Sequence, residues 1–200
     1  MIKLFFVGDG PRDEAVVPHL VAKILALDAL QSGFSPWASL HKKSKGYARK
    51  LRFAIRQARD QNALGLVATV DSDESGRSGR LNQLRDGRDE DRQSAPPFPT
   101  ALGEAIPHLE AWLIDDPVAV CAALHLAADA TVLTVRQTKD PKSTINELSR
   151  HRADFENVVD ALEQIARRVE PSRCAHEAET GFKAFVADVK HELSPLCSDS

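Results

Sequence analysis

The chain is poor in several of the features that mark particular protein classes. It has only three cysteines, Cys121, Cys174 and Cys197, widely spaced and without a Cys-x-x-Cys pair, which excludes a zinc or disulfide scaffold and fits a reducing compartment. No apolar run approaches the roughly 20 residues of a membrane span, and the N-terminus has neither the basic region nor the cleavage site of a secretory signal. A cytoplasmic protein without a membrane partner is expected. There is no Gly-x-Gly-x-x-Gly and no Gly-x-x-x-x-Gly-Lys-Ser/Thr, so the common phosphate-cradling loops of nucleotide-binding α/β proteins are missing. Acids are also absent from one long stretch: between Asp28 and Asp60 there is none.

That stretch instead holds Lys42, Lys43, Lys45, Arg49, Lys50, Arg52, Arg56 and Arg59, eight cations in a chain whose net charge is −3. Steps of 100° per residue place Tyr47, Leu51, Ala54, Ile55 and Ala58 on one helical face and Lys45, Arg49, Arg52, Arg56 and Arg59 on the other. A helix that packs by one side and presents a cationic stripe by the other is either a solvated surface or a footprint for a phosphate backbone.

With 200 residues, 42% hydrophobic and 28% charged, the chain can bury a core of ordinary size. Its first part alternates strand and helix signals: a strand over 2–7, a helix over 12–28, a short strand near 34–40, the basic helix, a strand over 64–70, a polar, partly helical stretch over 74–92, and a strand over 101–107. Such alternation predicts a mostly parallel sheet flanked by helices, a Rossmann-like α/β domain over residues 1–116. From Asp116 onward only helices are expected, over 117–127, 141–151, 154–169 and 179–193, forming a helical extension packed on that domain over 117–200.

Acids recur where strands end. The run Leu64-Gly65-Leu66-Val67-Ala68-Thr69-Val70 leads into Asp71 and Asp73, Ile2–Val7 leads to Asp9, and Ala105-Ile106-Pro107 is followed by Glu110. Ligands of open α/β sheets collect at the carboxyl ends of strands, and carboxylates there suit a hard cation. Three acidic strand exits predict one metal site.

These motifs resemble the TOPRIM domain, the metal-binding module of topoisomerases, primases and overcoming-lysogenization-defect nucleases. The closer resemblance is to a small TOPRIM-like group often encoded beside ATPases in bacterial defence loci. It is carried by Gly8-Asp9-Gly10-Pro11-Arg12-Asp13-Glu14, by Val70-Asp71-Ser72-Asp73, and by Ile106-Pro107-His108-Leu109-Glu110-Ala111-Trp112-Leu113-Ile114-Asp115. Asp140-Pro141-Lys142 and Gly181-Phe182-Lys183-Ala184-Phe185 have counterparts as well. The group generally has Glu-Gly in the first motif, so Asp9 is one methylene short, and Glu14 could substitute only if the first helical turn faces the site.

The resemblance implies a Mg²⁺- or Mn²⁺-dependent nuclease of an anti-phage system, with Asp71, Asp73 and Glu110 as metal ligands, Asp9 as ligand or general base, and Lys142 neutralising charge on the phosphate. Nucleic acid and an ATPase are the implied partners, and a homo-oligomer stays open. Strand passage would need a nucleophilic tyrosine on a further domain, whereas Tyr47, the sole tyrosine, lies on the apolar face of the basic helix. His108 is expected to be a packed or capping histidine, and Trp112 and Phe182 core residues. The competing reading is a non-catalytic TOPRIM-like regulatory or binding module.

Overall fold

A computed structural model describes residues 1–41, 46–72, 79–94, 96–126, 140–150 and 155–198. Its centre is a four-stranded, all-parallel sheet in the order β2-β1-β3-β4, built from β1 (Ile2–Gly8), β2 (Leu30–Pro36), β3 (Gly65–Asp71) and β4 (Thr100–Ala105). Parallel strands need crossovers, supplied here by α1 (Pro11–Ile24), by α2 (Trp37–His41) with α3 (Tyr47–Asp60), and by α4 (Arg80–Ser94). The α/β architecture read from the alternation is therefore the one observed.

Side chains alternate across each strand and so build two separate cores. Phe5, Val7, Leu66, Ala68, Val70 and Leu102 face α2, α3 and α4, meeting Trp37, Leu51, Ala54, Ile55 and Leu84. Leu4, Phe6, Val67, Ala101 and Ala105 face the other way, onto α1 and the later helices. These are α5 (Glu110–Ile114), α6 (Pro117–Ala123), α7 (Pro141–Arg150), α8 (Val158–Ala166) and α9 (Phe182–Ser198). Trp112, Ile145, Leu162, Phe182, Phe185 and Val189 share that second core with the sheet, with Trp112 stacked on Phe185 at 4.8 Å between ring centroids. No helix among the described residues is long and apolar enough to cross a membrane.

Several element bounds differ from the sequence expectation: the helices expected over 117–127, 154–169 and 179–193 are Pro117–Ala123, Val158–Ala166 and Phe182–Ser198, and two further differences have a clear physical cause. The second strand runs over Leu30–Pro36, not 34–40, pairing Ile2 with Leu30 and Gly8 with Pro36. It is an edge strand, which tolerates the polar Gln31 and Ser32, and Pro36 ends the ladder because it has no N–H to give. Trp37 then opens a helix, buried with its indole N–H donated to the Thr69 carbonyl at 2.7 Å. The first helix ends at Ile24, before the expected 28, because Ala26 turns the chain in the left-handed region at φ 52°.

The opposite edge of the sheet is closed by α9. Leu102 N–H donates to Asp188 at 2.7 Å, and Arg88 donates to both Asp188 (2.8 Å) and the Thr100 carbonyl (3.1 Å). Arg92 pairs with Glu192 at 2.6 Å. The arginines of α4 thus flank a packing stripe centred on Leu84 and tie that helix to the C-terminal one.

Candidate functional site

Because all four strands run in one direction, their carboxyl ends lie along one edge, and the acids that follow them are brought together there. Asp9 follows β1 and Asp71 closes β3; the Asp71 N–H points at Asp9 Oδ2, 3.5 Å away. Asp71 Oδ1 accepts the Leu109 N–H at 3.0 Å, which fastens the loop after β4 to the end of β3. Glu110 opens α5 immediately beyond and is close enough to raise the Asp71 pKa. Asp73 and Lys45 fall outside the described residues.

Asp13 is a member of this cluster that the sequence reading did not single out. One turn into α1, it is buried beneath the Gly8–Gly10 loop, accepting from Thr69 Oγ1 at 3.0 Å and from the Gly10 N–H at 3.3 Å. A Cβ on Gly8 would lie 2.4 Å from the Asp13 Cβ, so glycine is required for the loop to close over this carboxyl. Glu14, the acid weighed as a substitute for Asp9, is exposed on a different side of α1, where it lines a cavity of about 610 Å³ with His19 and Glu163. The i, i+3 spacing from Gly10, which makes Asp13 reach back to the Gly10 N–H as in a capping box, was the available signal.

Burial and mutual repulsion dominate the electrostatics. The Asp13 carboxyl is pushed up to about 7, first by burial and then by Asp71 and Asp9. Asp71 is pushed up to about 6 by burial and Asp9, with His108 and the Leu109 N–H pulling the other way. His108 Nδ1 lies 3.3 Å from Asp71 Oδ2 yet is buried without an aligned hydrogen-bond partner. His108, expected to be a packed or capping histidine, thus stands beside the acidic cluster.

The remaining candidate residues are placed less simply. Glu110 is 3% exposed and its carboxylate is engaged by the Arg12 guanidinium, which also donates to Asn146 Oδ1 at 3.0 Å. Lys142 stands exposed at the start of α7, and its side chain makes no hydrogen bond or ion pair among the described residues. The helix itself borders the site, since Asp140 feels the charge of His108 and Asn146 holds Arg12.

The cationic stripe of α3 is partly neutralised by the fold. Read alone, its window has no compensating acid, but α4 supplies them: Arg52 pairs with Glu90 at 2.7 Å and Arg59 with Asp91 at 3.1 Å. Arg59 also donates to the Pro96 carbonyl at 2.8 Å and lies over the Phe98 ring. Arg49 and Arg56 stay exposed with no ion pair among the described residues.

Comparison with family models, with curated proteins and with solved structures yields no match for this chain. Among the described residues no three carboxylate, imidazole or thiolate groups form a ready-made metal cage. Mg²⁺ does not need one, because it commonly keeps several waters and binds through one or two carboxylates together with substrate phosphates. Asp9 and Asp71, which meet at this edge, offer the carboxylate oxygens such a cation takes.

Proposed function

We propose that this chain is a divalent-metal-dependent nuclease with a TOPRIM-like site, hydrolysing phosphodiester bonds of nucleic acid. The observation that carries the proposal is the meeting of Asp9 and Asp71 at the carboxyl edge of a parallel sheet, beside Asp13, His108 and Glu110. Asp71 and Asp9 would hold Mg²⁺ or Mn²⁺, and the motif resemblance adds Asp73 as a ligand. The bound ion supplies charge neutralisation and water activation at a phosphodiester.

The chain's own residues organise that edge. Asp13, anchored to Thr69 and to the Gly10 N–H, fixes the loop that presents Asp9 and is a positioning residue. The Leu109 N–H orients Asp71, and Arg80 donates to the Asp71 carbonyl at 2.9 Å. Lys142, at the neighbouring start of α7, is the cation available to a developing phosphate charge. An ATPase partner and a role in anti-phage defence rest on the motif resemblance alone.

One observation favours the second reading, a non-catalytic TOPRIM-like binding module: the Arg12 guanidinium already pairs with the buried Glu110 carboxylate, and a metal ion would have to compete with it there. Incubating the purified chain with DNA and RNA in Mg²⁺ or Mn²⁺ separates the two. Cleavage that falls about a hundredfold or more in Asp71→Asn supports the nuclease. Binding without cleavage under every metal, or cleavage unchanged in Asp71→Asn, selects the module.

A further inference from the structure

We propose that the N-terminal end of α3, together with Lys50, is a phosphate-binding subsite beside the acidic cluster. The helix begins after Gly46, which adopts φ 79°, and has no side-chain cap. The Tyr47 N–H is taken by Gln83 Oε1 at 3.0 Å, but the N–H groups of Ala48 and Arg49 have no acceptor among the described residues. Unpaired N–H groups at the positive end of a helix dipole are a ready anion site. The first turn holds no acid and instead carries Arg49 and then Lys50, the wrong sign for that end unless an anion joins them.

Lys50 is the second and independent observation. It is only 7% exposed, yet its ammonium makes no hydrogen bond or ion pair among the described residues. Its stem is packed away while the ammonium, held by no carboxylate or carbonyl among the described residues, is left for a ligand. Helical side chains lean toward the N-terminus, which brings this ammonium back over the first turn, 4.9 Å from the centroid of the Tyr47 ring. The Arg80 guanidinium stands 5.8 Å from the same ring while donating to the Asp71 carbonyl, so the subsite adjoins the acids. Two free N–H groups, an ammonium and a nearby guanidinium match a compact polyanion of tetrahedral shape better than a carboxylate. The ligand is a phosphate group, borne by a nucleic acid or free, and its binding does not depend on the neighbouring acids being catalytic.

The test is done in EDTA, so cleavage plays no part. Inorganic phosphate is titrated into the isotope-labelled protein at constant ionic strength, following the Ala48 and Arg49 amides by NMR. Lys50→Met is compared with the wild type and with Lys190→Met, a change on the exposed side of α9. The expected result is movement of both amides in the wild type and in the Lys190 variant, with apparent affinity about tenfold or more weaker in Lys50→Met, the loss of one charged hydrogen bond. Unmoved amides in the wild type, or equal affinity in Lys50→Met, overturn the proposal. The wild-type measurement decides even if the Lys50 variant fails to fold.

Oligonucleotides with a 5′-phosphate and with a 5′-hydroxyl then identify the source. Preference for the phosphorylated strand that is lost in Lys50→Met assigns a strand end; equal binding of both that is lost in Lys50→Met assigns an internal phosphodiester. Binding of inorganic phosphate alone assigns a free phosphate ligand.

Discussion

Two clusters of aspartates in this protein have opposite surroundings. Asp115 and Asp116, where α5 gives way to α6, are enveloped by donors. Asp116, fully buried, accepts the N–H groups of Ala119 (3.1 Å) and Glu170 (2.9 Å) and a guanidinium fork from Arg173 (2.8 to 3.0 Å). Asp115 accepts the His176 backbone N–H and its Nδ1, each at 2.9 Å. The cluster of Asp9, Asp13 and Asp71 has few donors for three carboxylates and sits with two pKa values raised. The residue type is the same in both places, and the supply of donors separates a strut from a site that still lacks positive charge.

Single substitutions should expose that contrast most strongly. Asp116→Ala leaves two buried N–H groups and the Arg173 guanidinium without their acceptor and should cost about 3–5 kcal/mol in urea unfolding. Asp71→Ala removes one of several repelling carboxylates and should change metal-free stability by no more than about 1 kcal/mol, of either sign. A loss at Asp71 as large as that at Asp116 would make both clusters structural.

The pH dependence should be next in size. A folded-state Asp13 pKa of about 7, against an ordinary 3.8, means that the native protein keeps a proton which the unfolded chain has already released. Metal-free stability should therefore fall as pH rises from about 4 to about 7 and level off above, by at most about 4 kcal/mol from this group. Asp13→Asn should flatten the slope. If stability rises across that window in EDTA, the cluster is not strained by its own charge. At pH 8, Mg²⁺ at about ten times its dissociation constant should return about 1.4 kcal/mol, and Asp71→Ala should abolish that gain.

How much of this could be read from the residues depended on the range of the interaction involved. The parallel sheet followed from local alternation, and the meeting of Asp9 with Asp71 from the rule that parallel strands end along one edge. The buried face of α3, with Leu51, Ala54, Ile55 and Ala58, followed from helical spacing. Long-range partners left no such trace. Arg12 closing on Glu110 spans 98 positions, and nothing local to either residue announces it. Asp116 before Pro117 is a local helix-start signal, answered by the Ala119 N–H, but its other donors, Glu170 and Arg173, lie more than 50 positions away and left no trace. The strand at Leu30–Pro36 was misplaced because an edge strand carries polar residues that weaken the alternation.

The smallest effects should come from α3, where the same distinction between supplied and unsupplied charge applies within a single helix. Arg52 and Arg59 already have Glu90 and Asp91 as partners, whereas Arg49 and Arg56 have no ion pair among the described residues. The exposed Arg52–Glu90 pair contributes about 0–1 kcal/mol, so Arg52→Gln should barely move the unfolding midpoint, whereas Arg59→Gln, which loses the half-buried contacts with Asp91, Pro96 and Phe98, should move it more. Nucleic-acid affinity is the sharper measure. If the stripe tracks a phosphate backbone, Arg49→Gln with Arg56→Gln should flatten the log–log salt dependence by roughly one unit per lost contact on duplex DNA. The Arg52 and Arg59 pair should flatten it less, because a cation held by a carboxylate must give up that partner to meet a phosphate. Equal slopes for the two double variants would show that the α4 carboxylates do not hold their arginines in solution. Unchanged slopes in both would leave α3 a solvated surface and confine nucleic-acid contact to the mouth of the acidic cluster.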